Sequence, residues 1–277
     1  MKAALPRLVC VTGLPRAGST FICQLLDQHP AIYSPGHSSP LFPALTGLRR
    51  ELSDDDFLLA QLDQGEALVL ERLRRAYQGF VAGWFAETDL PTVVDKNRGW
   101  LNQLELLVHL VPDAKLIVCV RELSQVWGSI EAQHRASVLL DFPDHTADLS
   151  QYARADRFFG PDGVVGFPLA AIEASQDYPE PLRSRLFFLV FEHLMADPKA
   201  VLAQLFGWLE LPPHDVALDR LDTAPHESDS YYRLKFRHRR HATLRDPVIH
   251  DVPPRIVAEL ESKFEWFYKT FYPGESK

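Results

Sequence analysis

VTGLPRAGSTFICQLLDQHP, residues 11–30, carries a glycine at 13, a second after four intervening residues at Gly18, and then Ser19-Thr20. The spacing is the frame of a phosphate-binding loop, G-x-x-x-x-G-K-[ST], with serine in the lysine slot and an arginine, Arg16, inside the loop. The flanks agree with that frame. Residues 8-LVCVT-12 are a short continuous apolar run that predicts a buried strand, and FICQLLDQH has a helical period that should close before Pro30. In such a strand–loop–helix, successive backbone N–H groups and the helix N-terminus converge on an anion. Ser19 and Thr20 add hydroxyl donors, and Arg16 adds a planar cation suited to phosphate. The plain alternative is a glycine turn that binds nothing.

Outward from the loop, the prolines and glycine of 33-YSPGHSSPLFP-43 argue against regular structure. Residues 54–87 read as helical, with Gly65 dividing two segments. A short strand 92-TVVD-95, a helix over 100–112 and the buried strand 115-KLIVCV-120 follow, then a helix over 122–135. Beyond an irregular middle come the strand 186-LFFLVF-191, a helix over 198–211 opened by proline, and one long amphipathic helix over 254–272. The aromatic face of that last helix, Phe264, Phe267 and Phe271, is expected to pack in the core. Strands alternating with helices predict an α/β fold with a central parallel sheet flanked by helices. No repeat, low-complexity tract or long linker divides it, so residues 1–277 are expected to form a single domain.

The net charge of −8 argues against a general nucleic-acid binder, and no run of about 18 apolar residues predicts a membrane span. The N-terminal apolar run is broken by Pro6-Arg7 and leads into the loop, unlike a secretory signal. Cys10, Cys23 and Cys119 lie in apolar segments at no metal-like spacing, the pattern of reduced thiols in a cytoplasmic protein. Charge is uneven: 51-ELSDDD-56 is acidic, whereas 233-RLKFRHRRHATLR-245 holds five arginines, one lysine and two histidines. That cluster fits a solvated surface, an RNA patch or a cover over an anionic ligand, and composition alone favours the first.

A small-molecule kinase with a degenerate loop is one reading. It would need a loop lysine and an acid after a strand to hold magnesium. Position 19 cannot supply the lysine, Asp95 is the candidate acid, and the strand 115–120 ends in Arg121 rather than a carboxylate. A nucleotide whose transferred group is less charged and needs no metal clamp fits better. A non-catalytic nucleotide-binding protein is the third reading.

The chain resembles the sulfotransferases that use 3′-phosphoadenosine-5′-phosphosulfate (PAPS). Their loop P-[RK]-[ST]-G-[ST]-T is similar to 15-PRAGST-20, and their strand-end arginine followed eight residues later by a helical serine is matched by Arg121 and Ser129 in 117-IVCVRELSQVWGS-129. A third feature, a strand running into aromatic-Glu-x-Leu and a proline-opened helix, is matched by 190-VFEHLMADPKAVLAQLFGWLEL-211, with Phe191 where tyrosine is more usual. The resemblance implies a P-loop-like sulfotransferase fold, PAPS as co-substrate and no metal. It places Arg16, Ala17, Gly18, Ser19 and Thr20 around the 5′-phosphosulfate and Arg121 and Ser129 on the 3′-phosphate. Arg237, Arg239 and Arg240 become candidates for a basic loop that closes the nucleotide site. Spacing is closest to the tyrosylprotein sulfotransferases, whose strand-end lysine, 25 residues before the arginine, falls on Lys96. Their catalytic glutamate, 21 residues after the loop arginine, falls on His37, and a nearby arginine on Ser39. A neutral histidine can take a proton, so His37 is the candidate base, with Arg16 and Lys96 stabilising the leaving phosphate oxygen. The acceptor implied is a hydroxyl on a peptide tyrosine, small molecule, glycan or lipid; a homodimer is left open. Trp84, Trp100, Trp127, Phe142, Tyr152, Phe158 and Phe159 are candidate walls for its pocket, core packing being the plainer reading.

Overall fold

Residues 5–136, 139, 145–221 and 242–274 are described by the structure, a computed structural model. Five apolar runs become strands: β1 (Arg7–Gly13), β2 (Ile32–Tyr33), β3 (Thr92–Lys96), β4 (Lys115–Val120) and β5 (Leu186–Val190). They form one parallel sheet in the order β2-β3-β1-β4-β5. β3 and β4 are buried at every position, as expected of strands covered by helices on both faces. The chain fills one side of β1 with β3, then crosses to the other side with β4. Loops at the carboxyl ends of β1, β3 and β4 therefore gather at the reversal of strand order, where open α/β sheets keep their ligand crevice.

The loop after β1 leads into α1 (Ser19–Leu26), with Asp27 as its C-cap as the sequence predicts. The segment 33–43 departs from expectation: Tyr33 ends β2, and Leu41 begins α2 (Leu41–Ser53). Pro43 sits in the first turn of α2, where a missing N–H costs no helical bond. The span 54–87 becomes α3 (Asp56–Trp84), capped by Asp55 on the Leu58 amide and bent at Gly65, the residue read as the divider. The helix predicted over 100–112 opens as a 3₁₀ turn at Trp100–Gln103 and continues as α4 (Leu104–Leu110). α5 (Leu123–Ala136) follows β4 directly.

The middle is not irregular. It contains α6 (Gln151–Phe159), α7 (Gly166–Ala174) and the single turn α8 (Glu180–Arg183). α7, GFPLAAIEA, is apolar nearly all round, so no polar face marks its period. After β5, Phe191 opens α9 (Phe191–Ala196) rather than ending the strand, and α10 (Pro198–Trp208) follows. The C-terminal helix is two segments, α11 (Pro254–Lys263) and α12 (Glu265–Phe271), parted at a non-helical Phe264. No glycine or proline marks that break, so the apolar period reads through it. Phe267 and Phe271 are buried as expected. All three cysteines are buried, and burial pushes the Cys10 and Cys119 thiols upward. Among the described residues no helix is long and apolar enough to cross a membrane.

Candidate nucleotide site

The loop is shaped by three residues with left-handed backbone: Gly13 (φ 113°), Arg16 (φ 62°) and Gly18 (φ 82°). Gly13 lies so close to β4 that a Cβ there would stand 2.2 Å from the Cys119 carbonyl oxygen, and the next amide, Leu14, donates to that oxygen at 2.9 Å. Gly18 presents its bare Cα to the Phe191 ring and caps α1 without a side chain, so no side chain competes for the first-turn amides. The result is a glycine-shaped turn at a helix N-terminus, the local architecture of an anion site.

Side chains from distant parts of the chain converge on this turn. Arg16 Nε donates to Ser129 Oγ at 3.0 Å. One helical turn further along α5, the Gln133 amide oxygen faces both terminal nitrogens of Arg16 at 3.0 and 3.1 Å, which fixes the orientation of that amide. Arg121, at the end of β4, donates from a terminal nitrogen to the Arg16 carbonyl oxygen at 3.1 Å. Its guanidinium carbon lies 4.7 Å from the Phe191 ring centre, while Nε stands 3.9 Å from Glu192 and makes no hydrogen bond. Burial lowers the pKa of Arg121, with Glu192, Tyr272 and Glu122 acting in the opposite sense.

These groups line a cavity of about 620 Å³, within the range that holds a nucleotide-sized ligand. Arg16, Gly18, Ser19, Thr20, Arg121 and Ser129 all face it; Ala17 is buried beneath the loop and does not. Arg245, the last residue of the basic segment 233–245, also lines it, as do Arg98, Gln133 and His250, which the sequence reading did not single out for the site. Arg98 stands two residues beyond Lys96, and Gln133 one turn beyond Ser129, so a local signal existed for both. His250 had none, because the segment 243–250 reaches the cavity only through tertiary structure. Arg237, Arg239 and Arg240 lie outside the described residues. The two sides of that stretch are joined by backbone bonds from Leu221 N to Ala242 O (2.8 Å) and from Leu244 N to Leu218 O (2.7 Å), and Leu221 and Thr243 line the cavity.

Lys96 and His37 stand apart from the cavity lining. Lys96 is buried at the end of β3 and donates from Nζ to Thr20 Oγ1 (3.1 Å) and to the Gly36 carbonyl (2.9 Å). The segment carrying His37 is tied down on both sides: Ser34 N donates to Asp27 Oδ1 at 3.0 Å, and Ser39 N to the Lys96 carbonyl at 2.9 Å. His37 itself is exposed. Asp95, the acid a kinase would need, is 1% exposed, accepts from Trp100 Nε1 at 2.6 Å and does not reach the cavity. Burial raises its pKa against the opposing effects of Ser39, Trp100 and His37. Of the aromatic candidates for an acceptor pocket, Trp100, Trp127, Phe158 and Phe159 are core, Trp84 is exposed, Tyr152 stacks under Arg255, and Phe142 lies outside the described residues.

A sequence profile described as the sulfotransferase family matches residues 6–215. The chain belongs to the sulfotransferase family. It is 28% identical over 117 residues to protein-tyrosine sulfotransferase 1 of Mus musculus and, to the same extent, of Homo sapiens, a match covering 42% of this chain. That match spans 31% of those relatives' length, under a third. Among solved structures, a sulfotransferase from Alicyclobacillus acidocaldarius superposes with a TM-score of 0.56 at 16% identity, over 97% of this chain and 94% of that one. The sulfotransferase domain from the curacin biosynthetic pathway gives 0.54 at 18% identity, over 94% and 98%. At such identities the likeness establishes the fold, a P-loop-like α/β sheet, in agreement with the strand order above.

Proposed function

We propose that this sulfotransferase moves the sulfuryl group of PAPS to an acceptor hydroxyl. The observation that carries the reading is the convergence of Arg16 with Arg121 and Ser129, which follow it by more than 100 residues in sequence, on one cavity at the phosphate loop. The donor set fits a bisphosphorylated nucleotide. The loop amides with Ser19 and Thr20 form one anion seat and Arg121 with Ser129 a second, and the buried Arg121 Nε lacks the partner that a phosphate oxygen would supply. When bound, PAPS supplies a sulfuryl group activated by its phosphate leaving group.

Each residue then has a task. Arg16 and the loop amides hold the 5′ end and neutralise charge on the departing phosphate oxygen. Lys96 acts beside them through its hold on Thr20. His37, exposed on the segment that Lys96 ties down, takes the proton of the acceptor as its oxygen bonds to sulfur and the sulfur–phosphate-oxygen bond breaks. Positioning and fixed charge do the work, with no covalent enzyme intermediate. A peptide tyrosine is the first acceptor to try, because the relatives matched over 117 residues are named for protein tyrosine. The kinase reading has less support, since the strand β4 leads into Arg121 rather than an acid and Asp95 is turned into the core, which leaves Asp246 of the segment 243–250 as the acid on a lining that holds four arginines.

Incubation with PAPS labelled in sulfur, a cell extract and no added magnesium should label an acceptor. Arg16→Ala should reduce that transfer on the order of 10²–10³-fold, the usual cost of one preorganised charge. Transfer from ATP labelled in its terminal phosphate, with none from PAPS, would overturn the reading.

A further inference from the structure

We propose that His250 is a third ligand of the 3′-phosphate seat, so that the nucleotide binds together with a proton. The inference rests on the reading above, in which Arg121 and Ser129 hold that phosphate. Three contacts fix the histidine there. Its backbone is gripped from both sides by one α5 side chain: His250 N donates to Gln125 Oε1 at 2.8 Å and Gln125 Nε2 donates to His250 O at 3.1 Å. A Cβ on Gly128 would fall 2.4 Å from the His250 Cβ, so only glycine lets the segment lie this close. Two residues back, the Val248 carbonyl stands 3.5 Å from an Arg121 terminal nitrogen. Gln125, Gly128 and Ser129 share one turn of α5, which brings the half-buried imidazole to the cavity wall beside Ser129 and Arg121.

The charges around the ring decide what it does. From other elements Arg16 and Arg121 act on it; the α5 residues shown against it, Gln125 and Gly128, are uncharged, and its own segment carries Arg245, Asp246 and Asp251. Burial first, then the two guanidinium groups, hold its pKa below the ordinary value, so the ring is neutral at neutral pH. A phosphate dianion placed among the same groups reverses the balance. The ring takes up a proton and donates a charge-assisted hydrogen bond, and the phosphate gains a third cation. Binding should then tighten as pH falls, until the free protein's ring is itself protonated.

The test compares 3′-phosphoadenosine-5′-phosphate (PAP) with adenosine 5′-phosphate by calorimetry from pH 5.5 to 9, for the natural chain and for His250→Gln. The phosphates titrate in the same range, so the readout is the ratio of Kd between the two proteins at each pH. His250→Gln should weaken PAP about tenfold at pH 6 and under about twofold at pH 9, leave adenosine 5′-phosphate unchanged and abolish the excess proton uptake seen in buffers of different ionisation enthalpy. His250→Lys, with a fixed charge, should restore the affinity and flatten its pH dependence. Equal PAP affinities and equal proton uptake in the natural chain and His250→Gln would overturn the inference while leaving the functional reading intact. PAP binding no tighter than adenosine 5′-phosphate in the natural chain would overturn the reading of the seat itself.

Discussion

Gly13 and Gly18 resist a side chain for different reasons and to different degrees. At Gly13 an added Cβ meets backbone, the Cys119 carbonyl oxygen at 2.2 Å and its nitrogen at 2.6 Å, and neither can yield without parting β1 from β4. With left-handed strain added, Gly13→Ala should cost about 3 kcal/mol or more of folding stability. At Gly18 the obstacle is the Phe191 ring at 2.7 Å, a side chain that can turn. Gly18→Ala should cost roughly 1–2 kcal/mol for its backbone conformation. Its larger effect should be on PAP affinity, because Phe191 also lies against Arg121. Urea denaturation beside calorimetry checks the order; a Gly18 variant less stable than the Gly13 variant would contradict it. Asp95 gives a prediction with a sign. Burial raises its folded pKa, so the unfolded chain gives up this proton at lower pH, and stability is lost as pH rises through the folded value. Asp95→Asn keeps an acceptor for Trp100 and sheds the buried charge. Its stability relative to the natural chain should therefore improve between pH 4 and 7 in urea melts, and a relative stability flat across that interval would contradict the assignment.

At the scale of elements, α5 is the hinge of the site, since it carries Ser129, Gln133, Gln125 and Gly128 on the cavity side and Glu131 on another face. Glu131 is 3% exposed and is gripped by Arg154 of α6, at 2.8 Å to Nε and 2.5 Å to a terminal nitrogen, with Arg135 at 3.1 Å. Burial pushes this carboxyl up, but the arginines outweigh it and hold its pKa below the usual value. The stability it lends is thus present above the unfolded carboxylate range and lost as pH falls through the folded value. Glu131→Gln leaves Arg154 buried without its counter-charge and should cost about 3–5 kcal/mol at pH 7. The cost should shrink in acid, which thermal melts at pH 7 and pH 3 would check. A sequence reader could see α5, because β4 is a continuous apolar run and the Arg121-to-Ser129 spacing marks both ends of the feature. α6 and α7 were hidden. Their packing depends on partners such as Glu131 and the core, and α7 has no polar face to betray a period. The break at Phe264 was hidden for the same reason, being set by packing rather than by any local breaker. The loop residues 16–20 were legible because glycine spacing is a local demand. His250 was not, because its place depends on contacts across 125 residues.

For the whole molecule, what matters is that the cavity belongs to no single element. The loop after β1, the loops that follow β3 and β4 with Arg98 and Arg121, α5, α9 and the segment 243–250 each contribute a wall, so a ligand there ties the two sides of the central strand to a C-terminal stretch. A ligand that binds only this assembled state must stabilise the entire fold by mass action, by about 2.7 kcal/mol at a hundredfold excess over Kd. For a chain of this size that is a rise in Tm on the order of 5–10 °C. PAP should produce it without magnesium, because the counter-charges are Arg16, Arg121 and their neighbours rather than a metal held by Asp95. ATP with magnesium should produce less, since it lacks the 3′-phosphate that would engage Arg121 and Ser129. Arg121→Ala should abolish most of the PAP shift and lower the unliganded melt by less than that shift, since the arginine's own contacts are the Arg16 and Val248 carbonyl oxygens, the face of the Phe191 ring and a distant carboxylate. A larger shift from magnesium-ATP than from PAP, retained in Arg121→Ala, would return the molecule to the kinases; the reverse pattern ties the melting of the whole chain to the seat at the end of β4.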